Sequence, residues 1–235
     1  MLIDLREIEH TGTGQSSLKK EIFSSIPNGA VIIDGGCKQG FWMRAMDNYI
    51  PSAISPTLTK IGIDPISYKM TQRNGEYTQY IQAAIGLEDK ESVDFYIVGS
   101  EPGCNSLLKP SQDLQNTTYQ GVNREVSEIK KVKQVRLDTV LDGLSNLLEV
   151  YYVKFDLQGA DLDGAKSLGK YLDIVKYIEL ELSLDSEKPF YEDSPDLEEI
   201  VSTLESFGFE AIEFSSFPAS PLPEGELLFR SKTCQ

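Results

Sequence analysis

The chain has 235 residues, 40% hydrophobic and 25% charged, ordinary globular usage that argues against a largely disordered or fibrous protein. That length suits one large α/β domain. Lys and Arg number 22 against 37 Asp and Glu, a formal net charge of −15 with no basic block to offset it, which disfavours nucleic acid and anionic membrane as partners.

The first residues lack the basic region and apolar core of a signal peptide, and no apolar run reaches the roughly 18 residues of a membrane span, so a cytoplasmic location is expected. Cys37, Cys104 and Cys234 are far apart, odd in number and without CxxC spacing, and read as reduced thiols. Residues 15–26 predict a helix within an N-terminal cap segment, 1–29, that covers either the ligand or only the sheet. Residues 30–235 form the main domain. His10, the only histidine, reads as a surface residue.

Residues 30–34 are a short β-branched run ending in an acid and glycines, the pattern of a buried parallel strand entering a tight turn. Residues 39–49 follow with apolar positions at helical spacing, then a strand over 59–64 stopped by Pro65. Residues 80–85 and 92–98 predict a third strand and an added one. Residues 99–134, polar and rich in Ser, Asn and Gln, read as a long loop and candidate acceptor lid. Beyond it come a helix (137–148), a strand (150–156), a helix (163–172), a strand (175–181) and a helix (195–207) closed by Gly208. Two strands, 210–215 and 226–230, have no helix between them. Repeated βα units predict a doubly wound, mostly parallel sheet with an antiparallel C-terminal edge hairpin, its ligands outside the carboxyl strand ends.

The turn Asp34-Gly-Gly36-Cys-Lys-Gln-Gly40 has Cys37 where a dinucleotide fingerprint needs glycine, and no Gly-Lys-Ser/Thr follows, so NAD is disfavoured and a P-loop excluded. An acid at the strand end with Gly36 and Gly40 suits S-adenosylmethionine, whose ammonium a carboxylate can hold directly or through water. Asp64, ending the second strand before Pro65, is placed to accept from both ribose hydroxyls. Ala84 in the third strand is a further expected cofactor contact. A purely structural turn is the alternative reading of the glycines taken alone.

Val153-Lys-Phe-Asp-Leu-Gln-Gly-Ala-Asp161 resembles the lysine-x-aspartate-x-(glutamate or glutamine)-glycine-alanine-acid signature of the FkbM family of S-adenosylmethionine-dependent methyltransferases. Arg136-Leu-Asp-Thr-Val-Leu141, Asn105-Ser-Leu107, Ile178-Glu-Leu-Glu181, Ser206-Phe-Gly-Phe209 and Leu227-Leu-Phe-Arg230 resemble further family segments in the same order. Cys37 and Lys38 depart from the family's alanine and asparagine in the first turn, and Asp64 stands where glutamate is frequent. The resemblance implies a class I, Rossmann-like methyltransferase fold and O-methylation of sugars, glycolipids or polyketides.

Asp156 ends the fourth strand beside the expected methyl-transfer position, with Lys154 on the same strand face and Glu181 ending the next strand. These three are the expected catalytic residues, Asp156 as base. Asn105, Ser106, Gln158 and Asp161 are the expected acceptor contacts. The bland alternatives are a helix cap for Asp156 and a salt bridge for Lys154. A divalent cation on Asp156, Asp161 and Glu181 is not favoured, because the spacing is not that of a metal motif. A saccharide hydroxyl is the expected acceptor, given the amide and hydroxyl side chains of residues 99–119. A polyketide acceptor and a noncatalytic S-adenosylmethionine-binding module are the alternatives.

Overall fold

The computed structural model describes residues 9–11, 16–67, 77–99, 102–116, 124–145, 147–184, 189–216 and 224–233. In chain order the elements are β1 (Glu9–Thr11), α1 (Ser17–Ser24), β2 (Val31–Gly35), α2 (Phe41–Asp47), β3 (Thr59–Ile63), β4 (Gln79–Ile81), β5 (Ala84–Ile85) and β6 (Lys90–Val98). There follow α3 (Gln112–Asn116), β7 (Val126–Val135), α4 (Leu137–Asp142), β8 (Val150–Phe155), α5 (Asp161–Lys166), β9 (Val175–Ser183), α6 (Leu197–Ser206), β10 (Phe209–Ser216) and β11 (Glu224–Ser231).

Every residue of β2 and β8 is buried, as a strand covered on both faces requires. They form the centre of a sheet ordered β1-β10-β11-β9-β8-β2-β3-β4, in which β4, β3, β2, β8 and β9 run parallel. The C-terminal hairpin is antiparallel as expected, but β11 turns inward between β9 and β10, and β1 pairs parallel along the outside of β10. Strand alternation sends Ile33, Val153, Phe155 and Leu180 to one face, where α4, α5 and α6 bring Leu141, Leu162 and Leu204. Ile32 and Tyr152 point the other way and meet Phe23 of α1 and Met43 and Met46 of α2. Helices on both faces make the sheet doubly wound, and its order reverses at β2, which opens a crevice at the carboxyl ends.

α1 begins at Ser16, whose side chain accepts from the Lys19 N–H at 2.8 Å, and α6 begins at Asp196, which accepts from Glu199 N–H at 2.8 Å. α6 closes with Gly208 in the left-handed region, as its sequence position predicts.

Two expectations about the middle of the chain need correction. The single strand expected over 80–85 is two: β4 pairs with β3, and β5 pairs with β7 in a second sheet ordered β5-β7-β6. Residues 126–134, expected as part of a polar loop, belong to the ten-residue strand β7, antiparallel to β6. Its apolar residues, Val126, Ile129, Val132 and Val135, recur every third position, and register shifts along the β6–β7 ladder accommodate this. A solvated ribbon tolerates the lysines and glutamate between them. The helices expected over 137–148 and 163–172 are also shorter, α4 ending at Asp142 and α5 at Lys166, with a 3-10 turn over Gly169–Ile174.

Candidate active site

β2 leaves the sheet through Gly36 at φ 75°, where a Cβ would stand 1.9 Å from the carbonyl oxygen of Asp156. Only glycine lets this turn pass so close to the one after β8. Gly40, at φ 72°, donates to the Cys37 carbonyl at 2.6 Å and stands immediately before α2.

A cleft opens over this turn. Gly36, Asp64, Pro65 and Ala84 line it, with Phe95 of β6 and Leu107 as apolar wall. Asp64 accepts from Lys38 N–H and Ile66 N–H, each at 2.8 Å, which ties the turn after β2 to the turn after β3. Burial nevertheless pushes its carboxyl up to about 6. Each of its oxygens keeps a second lone pair, so the carboxylate suits hydroxyl donors in the cleft.

Asp34 does not line this cleft. It is 1% exposed on the face of β2 toward α2 and accepts from the Tyr77 hydroxyl. Burial pushes its carboxyl up to about 7, against the pull of Lys154. Lys154 is likewise buried, its Nζ 3.2 Å from Asp156 Oδ2. Burial opposes its charge, but Asp156, Glu226, Glu179 and Asp34 together hold it well above the ordinary lysine value.

Asp156 lies in the wall of the first cleft, and Glu181 in the wall of a second that Asp161, Phe190, Tyr191 and Glu224 also line. Gln158 lines both, and its side-chain amide donates to Asp156 Oδ1 at 2.9 Å and to Glu181. Burial opposes the charge on Asp156, but Lys154 and hydrogen bonds from Glu181 and Gln158 outweigh it and hold the carboxyl below its ordinary range. Burial, then the charges of Asp156 and Glu224, drive Glu181 well above its own. The two shifts run in opposite directions, so the pair disfavours a second negative charge and favours it least on Glu181.

Gln158 sits at φ 56°, a strained position for a side-chain-bearing residue. Three groups over-determine it: its hydrogen bonds to the two acids, the Tyr191 hydroxyl 2.7 Å from its Oε1, and the Ser106 hydroxyl donating to its carbonyl at 2.7 Å. Ser106 is fully buried and lines neither cleft, whereas Asn105 lines the first while its Oδ1 accepts from Val98 N–H at 2.9 Å. Asp161 accepts from Leu157 N–H and Gly159 N–H, each at 3.1 Å, and so fixes the turn that carries Gln158. Burial and the nearby Asp156 push its carboxyl up to about 7. Asp156 caps no helix; α5 starts after Ala160 without a side-chain cap bond.

The sequence reading did not single out Tyr77, Tyr191, Glu179 or Lys19. Their partners lie 43, 33, 27 and 160 positions away in the chain, and no local spacing marks such pairs. Among the described residues no group of three or more His, Cys, Asp or Glu side chains is arranged to hold a metal ion, and no helix is long and apolar enough to cross a membrane. Cys37 and Cys104 are buried thiols outside any disulfide; Cys234 and Tyr119 lie outside the described residues.

Residues 45–211 match the methyltransferase FkbM domain. The match starts inside α2, so the turn from Asp34 to Gly40 precedes it. A comparison with curated protein sequences finds no match. Among solved structures, the chain is similar to the 1,6-didemethyltoxoflavin-N1-methyltransferase of Burkholderia thailandensis, with TM-score 0.44 and 9% identity over 92% of this chain and 77% of that one. It is similar to an rRNA methylase of Streptococcus thermophilus, with TM-score 0.45 and 11% identity over 91% and 94%. It is also similar to the bifunctional kinase-methyltransferase WbdD, with TM-score 0.45 and 15% identity over 97% of this chain and 44% of that one.

Proposed function

We propose that this chain, which belongs to the methyltransferase FkbM family and uses S-adenosylmethionine as its donor, methylates a hydroxyl of a saccharide. The observation that carries this reading is the acid–amide cluster of Asp156, Gln158 and Glu181 where the two clefts meet. The donor supplies a methyl group already activated on a sulfonium. What the chain's residues must do is hold the donor, align an oxygen and receive its proton.

The first cleft suits the donor. Asp64 holds the ribose hydroxyls, Gly36 and Ala84 let the ligand lie close to the backbone, and Pro65, Phe95 and Leu107 cover its apolar faces. Asp34 sits one layer below and fixes the turn through Tyr77, so any contact it makes with the donor's ammonium is indirect. Asn105 belongs to the donor side of the site. The second cleft takes the acceptor, with Glu181, Tyr191 and Asp161 as its walls and Gln158 as the boundary. Asp156 accepts the hydroxyl proton late, as the methyl moves, so a carboxylate held ionised by Lys154 is sufficient. Glu181, protonated, orients Asp156.

The cytoplasm is the proposed location, where the Cys37 and Cys104 thiols stay reduced. Incubating the chain with labelled donor and a glycan panel tests the reading; label on a saccharide oxygen supports it, and label confined to nitrogen or to non-saccharide products sinks the acceptor assignment.

A further inference from the structure

Lys19 is a buried cation with no part in the proposed reaction. On the sheet face toward α1 and α2, Asp34, Lys154 and Glu179 stand side by side on β2, β8 and β9, exposed by only 1%, 4% and 0%. Lys19 reaches this layer from α1, its Nζ 2.9 Å from Glu179 Oε1 and 2.7 Å from Glu226 Oε2, and is itself 1% exposed. The Tyr152 hydroxyl donates to the other oxygen of Glu179. Two residues further toward the carboxyl edge, Lys154 meets Asp156.

Two lysines thus serve four carboxylates: Asp34 and Glu179 are buried, Glu226 is largely so, and Asp156 opens to the cleft. Lys154 has two competing directions, outward to Asp156 at the cleft or sideways to Glu179, its register neighbour. We infer that Lys19 is a positioning residue for the reaction centre: by occupying Glu179, it leaves the Lys154 ammonium to Asp156. α1 lies outside the segment that matches the family, so this device belongs to the N-terminal part of the chain. Only its catalytic meaning rests on the proposed methyl transfer.

The charges around Asp156 come from every neighbouring element. Lys154 comes from β8, which Asp156 follows, Asp34 comes from β2, Asp64 follows β3, and Asp161 opens α5. β9 supplies Glu179 and Glu181, and β11 supplies Glu224 and Glu226. Of all these groups, Lys154 is the cation in contact with Asp156. Burial opposes the charge on Glu179, but Lys19 and then Lys154 hold its carboxyl below the ordinary range, as competition for Lys154 requires.

The test is a carbon-13 carboxyl NMR titration of Asp156 in the full chain, its signal assigned with Asp156→Asn. The titration needs neither donor nor acceptor, so it stands or falls separately from the methyl-transfer reading. Lys19→Met is expected to raise the Asp156 midpoint by about one pH unit or more, because a nearby opposite charge is withdrawn. Lys19→Arg should leave it in place, and the double variant Lys19→Met/Glu179→Gln should return it to the wild-type position. An unmoved midpoint in folded Lys19→Met overturns the inference. Where circular dichroism shows that variant unfolded, the double variant and Glu179→Gln decide: wild-type or lower midpoints support the inference, and a raised midpoint in either overturns it.

Discussion

Asp156 and Glu181 are chemically alike, yet their surroundings push their carboxyls in opposite directions, and that difference sets what each substitution costs. If Asp156 receives the acceptor proton as proposed, Asp156→Asn keeps its size but removes its charge, and a rate loss of roughly 10²–10⁴ is expected with donor affinity nearly unchanged. Burial and the Asp156 charge favour the neutral form of Glu181, so Glu181→Gln keeps a neutral hydrogen-bonding group and should cost less than about tenfold. Steady-state kinetics on a methylated acceptor, with donor affinity from calorimetry, separates the two; equal losses would mean that the shared proton is assigned to the wrong acid. At Gly36 the constraint is steric. Gly36→Ala places a methyl against the Asp156 carbonyl at a positive φ, and backbone cannot swing aside as a side chain can. A destabilisation above about 3 kcal/mol in chemical denaturation is expected, because strain and clash act together.

At the scale of elements, the strands carrying the site were legible because their signals are local. Residues 30–34, 59–64, 150–156 and 175–181 are β-branched runs ending in acids, and each corresponds to a strand of the central sheet. The β6–β7 ribbon was half missed because a strand solvated on one face keeps no unbroken apolar run, and its ladder shifts register. That ribbon changes the site, since β7 extends β6 into a ribbon whose Phe95 lines the first cleft. Phe95 packs with Ala84 and Val132 in a small cluster apart from the central core. Phe95→Ala should therefore weaken S-adenosylmethionine binding, measured by calorimetry, by about tenfold or more while the central sheet stays folded; burial of an aromatic wall of this kind is worth a few kcal/mol. The acids were legible as candidates, but their division between two clefts was not. It depends on β11 folding between β9 and β10 and on Tyr191 reaching back to Gln158.

For the molecule as a whole, burial of acids beneath and around the site makes stability depend on pH. Asp34 and Asp161 rise from 3.8 to about 7, Glu226 from 4.5 to about 7 and Asp64 from 3.8 to about 6 on folding. A carboxyl whose folded pKa is raised stabilises fully below its unfolded value, and that contribution is lost as pH climbs through the folded one. Asp156 and Glu179 shift the opposite way, but they are ionised in both states above about pH 5 and give no slope there. The midpoint of thermal unfolding should accordingly fall between about pH 5 and 8. Asp34→Asn, which can still accept from Tyr77, should flatten that fall; a midpoint that rises with pH would contradict the burial assigned to these groups. The central claim is that a methyl group passes from S-adenosylmethionine to a saccharide hydroxyl beside Asp156. Its most direct test is mass spectrometry of a saccharide panel incubated with methyl-labelled donor and either the wild-type chain or Asp156→Asn. The account predicts an ether-linked label on a saccharide from the wild type and its near loss in the variant, and equal labelling by both proteins would contradict it.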